Sequence, residues 1–187
     1  MDDEIRAIDD QITELKKKLS EARRRRPAEP VKDYEFKTVD GAAQLSSFFG
    51  EKSDLLVVHN MGAGCPYCTL WADGLNSLVP HIENRTSFIV VSPDAPEAQA
   101  KFAAGRGWKF RMANDASVEF TRDMGFLLND SDYWPGVSAF RRGEDGSITR
   151  TGSAFFGPGD DFCAVWPLFD LLADGHSGWE PKYRYGE

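Results

Sequence analysis

The run Gly-Cys-Pro-Tyr-Cys places two cysteines, Cys65 and Cys68, three positions apart. Sulfur chemistry needs a thiolate, and the N-terminus of a helix favours one, because its backbone N–H groups are unpaired and its dipole is positive there. Pro66 suits the first turn of such a helix, since its missing N–H is not needed there. The spacing predicts a redox-active dithiol in which Cys65 is the exposed attacking sulfur and Cys68, one turn deeper, is the buried resolving sulfur.

The residues before the dithiol are typical of a strand that turns sharply into a helix. The run 55–59, which ends at His59, predicts a short buried strand. Gly62 and Gly64 then permit the turn, and a helix is predicted from Cys65 toward Leu78. A CxxC pair at a strand-to-helix junction, followed by a hairpin that a proline introduces, here Pro135, is a more specific sign of a redox site than the pair alone.

Strand and helix signals alternate along the chain after residue 34. A strand at 88–91, helices at 96–106 and 117–124, a hairpin at 137–142 and 147–153, and a last helix from 160 complete the pattern. Parallel βαβ followed by antiparallel ββα is the order that a thioredoxin-type sheet requires. The sequence therefore predicts an α/β thioredoxin-like fold, with a central mixed sheet flanked by helices.

Apolar residues in the first 26 positions recur at spacings of three and four, which is an a/d seam of about three heptads. The seam consists of Ile5, Ile8, Ile12, Leu15, Leu19 and Ala22. Pro27 and Pro30 end the helix. The predicted domains are thus a helix at 1–26, a linker at 27–33 and a thioredoxin-like domain at 34–187. The seam predicts a homodimer through this helix; packing of the helix on its own domain is the alternative.

Composition limits the classes of partner. The net charge is −8, and residues 34–187 carry 21 acidic against 13 basic side chains, which disfavours a nucleic-acid surface. Arg23 to Arg26 form the one basic cluster, interpreted as a solvated helix end rather than a site for an anionic partner. The longest purely apolar run, 88–91, has four residues, and the acidic N-terminus does not resemble a signal peptide. We expect a cytoplasmic protein with no membrane segment.

Other interpretations of the polar and sulfur-containing residues stay open at this point. Cys65 and Cys68 are alternatively half of a zinc site or inert packing residues, although no second CxxC or HxxxH is present. His59 is either a core histidine or a residue that tunes the thiol. Cys163 is predicted to be a small buried hydrophobe and Asp73 a solvated helix residue. Neither a metal nor a cofactor is predicted.

Short motifs spread over nearly the whole chain resemble one bacterial family. They are Asp33-Tyr34-Glu35-Phe36, Asp40-Gly41, the run from Leu45 to Gly50, the strand ending in His59, Gly64-Cys65-Pro66-Tyr67-Cys68, Trp71-Ala72-Asp73-Gly74, Val90-Val91-Ser92, Gly107-Trp108 and Asp123-Met124-Gly125-Phe126. This combination resembles the thioredoxin-like family known as domain of unknown function 899, within the thioredoxin/peroxiredoxin-like superfamily. The resemblance implies a thioredoxin fold and specifies no substrate.

The wider superfamily suggests further site residues. Thioredoxin-type folds place a cis-proline against the dithiol, just before the hairpin, and this resemblance implies a cis Trp134–Pro135 peptide. Tyr67, Trp134 and Pro135 are accordingly expected to contact substrate. The dithiol also resembles that of glutaredoxins, but Trp134 stands where their glutathione-holding Val-Pro has valine. The segment from Asn114 to Pro135 resembles peroxiredoxins, but Gly62 replaces their Thr/Ser three residues before the reactive cysteine.

Three functions follow from these features. The first is a thiol–disulfide oxidoreductase acting on a protein or small-molecule disulfide. The second is a thiol peroxidase that forms a sulfenic acid on Cys65. The third is a non-enzymatic interaction or redox-sensor module with a thioredoxin fold.

Overall fold

One mixed sheet organises the chain in the computed structural model, which describes residues 3–129 and 131–186. Its strands are β1 (Glu29–Val31), β2 (Glu35–Thr38), β3 (Gly41–Gln44), β4 (Asp54–His59), β5 (Ser87–Ser92), β6 (Arg111–Asn114), β7 (Gly136–Arg142) and β8 (Ile148–Phe155). Their order across the sheet is β1-β8-β7-β4-β5-β6-β2-β3. The helices are α1 (Asp3–Arg25), α2 (Pro66–Arg85), α3 (Pro96–Arg106), α4 (Glu119–Asp123) and α5 (Val165–Phe169), with a 3₁₀ helix at Leu45–Phe49.

The centre of the sheet has the pairing that the element order predicts. Strand β4 runs parallel to β5, and β5 runs parallel to β6. On its other side β4 is antiparallel to β7, which forms a hairpin with β8. Helices α2 and α3 make the crossovers between the parallel strands, as parallel connections require. The predicted α/β thioredoxin-like architecture with a long N-terminal helix is confirmed.

The sheet separates two hydrophobic cores, because successive strand residues face opposite sides. The first core holds Leu55 and Val57 of β4, with aromatic side chains that include Phe120 and Phe126. The second core holds Val58 of β4 and lies under α2, which contributes Trp71, Ala72 and Val79. Burial of these large side chains, each worth about 1.5–3 kcal/mol for a Val, Leu or Phe, holds α2 and its N-terminus in place over the sheet.

Helix α1 contributes no buried side chain. The isoleucines and leucines of its seam are 44% to 63% exposed. A 2.6 Å ion pair between Lys16 and Asp161 ties its middle to the globular domain. At its end Arg24 donates to Ser20 at 2.9 Å and Arg26 pairs with Glu29. The apolar seam is therefore uncovered within this chain.

Tertiary contacts change several predicted boundaries. Helix α2 continues through Pro80 to Arg85 rather than ending near Leu78, because Val79 and Ile82 pack on the second core and offset the hydrogen bond lost at the proline. The predicted linker at 27–33 contains β1, which pairs with β8 at the sheet edge. The last helix is limited to 165–169.

Strands β2, β3 and β6 were not predicted from the sequence. Each has four residues, and their sequences lack the alternating β-branched pattern of a typical strand. They form because pairing partners are available: β6 extends the parallel sheet beside β5, and β2 joins β6 at Lys37 and Asn114.

Candidate active site

Cys65 is the N-cap residue of α2. Its backbone is extended (φ −108°, ψ 105°), and its sulfur accepts the backbone N–H of Cys68 at 3.0 Å. Thr69 closes the first turn, since both its N–H and its hydroxyl donate to the Cys65 carbonyl, at 3.1 and 3.0 Å. The Cys65 sulfur thus occupies the place where a helix N-terminus stabilises negative charge.

The two thiols differ sharply in environment. Cys65 is partly exposed and Cys68 is buried, at 3% exposure. The pKa of Cys65 is lowered to about 7 by the hydrogen bond from the Cys68 thiol, aided by the backbone N–H groups of Cys68 and Tyr67 and opposed by burial. The pKa of Cys68 is raised well above its usual range by the negative Cys65 sulfur and by burial. Cys65 therefore ionises first.

Alkylation should follow this order of pKa. We expect the iodoacetamide rate of Cys65 to rise with pH through a midpoint near 7, since only the thiolate reacts and a lowered pKa leaves it populated above that pH. At neutral pH, about half of Cys65 is then thiolate, against a few per cent for an ordinary cysteine. Mass spectrometry of each thiol across pH 5–10 measures this.

Cys68→Ala, which removes the thiol donor, should move that midpoint upward, whereas Cys163→Ala should leave it in place. Equal and slow labelling of all three cysteines at neutral pH would contradict an activated Cys65.

The turn before α2 is held by side chains at the ends of two adjacent strands. Gly62 has φ +100°, and its N–H donates to the Asn60 side chain at 2.8 Å. Asp94 accepts the N–H of Ala63 at 2.7 Å, and a Cβ at Gly62 would lie 3.0 Å from its carboxylate oxygens. The glycine prediction is confirmed at this position, while Asn60 and Asp94 were missed. Their role could have been predicted, because Asn60 and Asp94 come just after the carboxyl ends of the adjacent strands β4 and β5.

The predicted cis Trp134–Pro135 peptide is wrong: no peptide bond among residues 3–129 and 131–186 is cis. The Trp134 N–H donates to Phe126 and the Pro135 carbonyl accepts from Phe156, both at 2.8 Å. These bonds hold the segment extended as it enters β7, so the intrinsically favoured trans isomer fits. Pro135 therefore does not provide the cis-proline that thioredoxin-type folds place against the dithiol.

The other residues predicted to contact substrate lie in two places. Tyr67 packs on Trp71 and Trp166, with ring centroids 6.1 and 6.3 Å apart, and so borders the second core beside the dithiol. Trp134 is 44% exposed and packs edge-on against Phe155 at 5.7 Å. The dithiol turn brings Tyr67 to the site, whereas Trp134 belongs to an exposed aromatic pair at the start of the hairpin.

His59 is a residue of the sheet interior. It is 2% exposed, its Nε2 lies 2.9 Å from the Ser138 hydroxyl, and its ring stacks on Phe126 at 3.9 Å. Burial lowers its pKa to about 3, so it is neutral. Its aromatic neighbours belong to the first core, on the sheet face opposite to α2. This packing favours the core-histidine interpretation over thiol tuning.

Asp73 anchors α2 to α3 rather than projecting into solvent. Its carboxylate pairs with Arg106 and accepts the Trp108 indole N–H at 2.7 Å. Cys163 is 7% exposed in the second core, and burial raises its pKa, as expected for a packing residue. Within the described ranges, no three or more His, Cys, Asp or Glu residues are placed to hold a metal ion, and no helix has the length and apolarity to cross a membrane.

A groove of about 650 Å³ lies at the other end of β4 and α2. Its lining includes Asp54, Arg85 and Arg141, and the carboxylate is ion-paired with both arginines, at 2.8 and 2.9 Å. None of the predicted site residues lines it. The candidate active site is therefore the smaller region around the start of α2.

This combination of a mixed sheet with a cysteine N-cap places the chain in the thioredoxin/peroxiredoxin-like fold class. Similar solved structures are peroxidoxin BcpB from Mycobacterium tuberculosis (23% identity, TM-score 0.53, covering 65% of this chain and 80% of that one) and reduced Prx3 from Vibrio vulnificus (12%, 0.58, 76% and 96%). A third is a peroxiredoxin-like protein from Aquifex aeolicus (16%, 0.54, 68% and 74%). At these identities the likeness establishes the fold.

The chain belongs to the family described as bacterial protein of unknown function (DUF899), which matches residues 3–185. Among curated proteins, none matches this sequence.

Proposed function

We propose that the protein is a thiol–disulfide oxidoreductase in which Cys65 attacks and Cys68 resolves. The observation that carries the proposal is the capped sulfur. Cys65 accepts the Cys68 N–H at 3.0 Å and has a pKa of about 7, while the second thiol is buried directly beneath it. A reducing compartment such as the cytoplasm would keep the dithiol reduced and able to attack.

The reaction has two exchange steps. The Cys65 thiolate attacks one sulfur of a substrate disulfide, the substrate S–S bond breaks, and one substrate thiolate leaves and takes a proton from solvent. The mixed disulfide is then attacked by the Cys68 sulfur, which forms the Cys65–Cys68 disulfide and releases the second substrate thiol. The substrate gains two electrons and the protein loses two, so a thiol reductant must restore the dithiol.

The burial of Cys68 suits this order. Its thiol stays protonated while Cys65 is negative, because the adjacent anion raises its pKa. Once Cys65 is in the mixed disulfide, that negative charge is gone, and Cys68 loses its proton more easily. The resolving sulfur is therefore activated only after the first step.

A direct test mixes the reduced protein with bis(2-hydroxyethyl) disulfide and follows thiol loss by alkylation and mass spectrometry. We expect one Cys65–Cys68 disulfide and two released mercaptoethanol molecules per protein, faster than for a free thiol at the same pH. A protein that stays reduced under these conditions would instead fit the interaction-module hypothesis.

A thiol peroxidase is the second candidate, favoured by the similarity of the fold to peroxiredoxins. Here the Cys65 thiolate would attack a peroxide oxygen, giving a sulfenic acid and an alcohol or water, and Cys68 would condense with it to release water. Gly62 supplies no hydroxyl to the site. The same oxidation assay with hydrogen peroxide in place of the disulfide distinguishes the oxidoreductase from the peroxidase. If peroxide oxidises the protein faster than the disulfide does, the peroxidase function is favoured.

We also propose that α1 joins two copies of the chain, since its exposed seam needs a partner surface. Its first turn carries Asp3 and Glu4, and its last turn carries three arginines. An antiparallel pair brings these opposite charges together, whereas a parallel pair aligns like charges.

We expect Ile12→Glu to shift the protein from dimer to monomer, because it puts a charge into the seam. Thr13→Glu introduces the same charge at an exposed position of the same helix turn outside the seam and should leave the dimer intact. Size-exclusion chromatography with light scattering gives the masses. A monomeric wild-type protein would contradict the pairing.

A further inference from the structure

A groove of about 420 Å³ runs beside the dithiol turn, between α3 and the C-terminal tail. Its lining includes Ala63, Lys101, Phe102, Arg106, Tyr183 and Arg184. Cys65 and Cys68 do not themselves line this groove, but Ala63 lies two residues before Cys65, so one end of the groove reaches the turn that positions the attacking sulfur. The volume is within the range of small-molecule sites.

The walls of the groove are fixed to the helix that carries the dithiol. The rings of Phe102 and Tyr183 meet edge to face at 6.3 Å. Arg106 donates to the Tyr183 carbonyl at 2.6 Å and also pairs with Asp73 of α2. Burial, and secondarily the neighbouring dithiol, raise the pKa of Tyr183, so its phenol is neutral.

The groove is basic in a protein whose net charge is −8. Among the described residues that line it, three are basic and none is acidic. Arg106 is neutralised by Asp73, but Lys101 is exposed on the α3 face of the groove. Because Lys101 is exposed, its attraction for a charged ligand in the groove is Coulombic and is weakened by added salt.

We propose that this groove selects small disulfides that carry carboxylates, with Lys101 as a residue that determines specificity. The inference rests on the proposed oxidoreductase function. In this arrangement one substrate sulfur extends past Ala63 to Cys65, the chain of the substrate lies along the Phe102–Tyr183 ring pair, and a carboxylate lies toward Lys101. Exchange then proceeds by the two steps given above, with the same balance of electrons.

The test uses three disulfides of similar length and different charge: 3,3′-dithiodipropionate (dianion), bis(2-hydroxyethyl) disulfide (neutral) and cystamine (dication). The measured quantity is the second-order rate at which each oxidises the reduced full-length protein. We expect the rates to fall in the order dianion, neutral, dication. The differences should shrink in 0.5 M salt, where the Debye length is about 4 Å.

Lys101→Glu should lower the rate for the dianion about tenfold, raise it for the dication, and leave the neutral disulfide within about twofold. Lys37→Glu makes the same change in net charge on β2, outside the groove, and should leave the order unchanged. If the neutral disulfide reacts but charge has no effect, or if Lys101→Glu alters all three rates equally, the inference is overturned and the oxidoreductase stands. If none of the three oxidises the dithiol, both fail.

Discussion

Cys65→Ser is expected to lower the rate of oxidation by bis(2-hydroxyethyl) disulfide by at least about a thousandfold, because a serine hydroxyl does not ionise near neutral pH and cannot replace the attacking thiolate. The fold should be retained. Serine is among the preferred N-cap residues, and its oxygen can accept the Cys68 N–H that the sulfur now accepts. The measurement is the oxidation rate by quenched alkylation, with thermal unfolding as the check on folding.

Cys163→Ala is the matched control for that experiment. It also removes one thiol, but that thiol lies in the second core, where Cys163 is 7% exposed. Cys163 has no part in the proposed exchange reaction. We expect its oxidation rate to equal that of the wild type, apart from a modest loss of stability. Comparable rates for Cys65→Ser and the wild type would contradict the assignment of the nucleophile.

The second large effect is expected from Cys68→Ser, which should stop the reaction after its first step. Cys65 would still attack, since its sulfur remains at the helix N-terminus, but the mixed disulfide would lack the sulfur that resolves it. We expect about one mercaptoethanol adduct per protein on Cys65, where the wild type shows almost none. Intact mass spectrometry followed by peptide mapping locates the adduct.

The double variant Cys68→Ser, Cys163→Ala serves as the control for resolution by the remaining thiol. It should hold the same adduct for as long as Cys68→Ser does. Release of the adduct from Cys68→Ser at the wild-type rate would show that Cys68 is not the resolving residue. The Cys68→Ser variant, reduced and then incubated with cell lysate to which no reductant has been added, should capture its disulfide substrates as mixed disulfides on Cys65.

Much of the site could be predicted because its signals are local. A cysteine before proline at a strand-to-helix junction places Cys65 at an N-cap, and a spacing of three places Cys68 one turn deeper. These relations depend on helix geometry and on the backbone preferences of proline and glycine, which act within a few residues. The buried strands β4 and β5 were predictable for the same reason, since their apolar runs are continuous.

The tertiary structure decided which distant residues meet the dithiol. Asp94 reaches Ala63 only because β4 and β5 pair in a particular register, and Tyr183 reaches the groove only because Arg106 holds the tail against α3. The packing side of His59 and the isomer of Pro135 depended likewise on partners far along the chain. By itself the sequence determined the dithiol and its helix, through local backbone preferences. The surroundings came from contacts between segments whose meeting no local preference specifies.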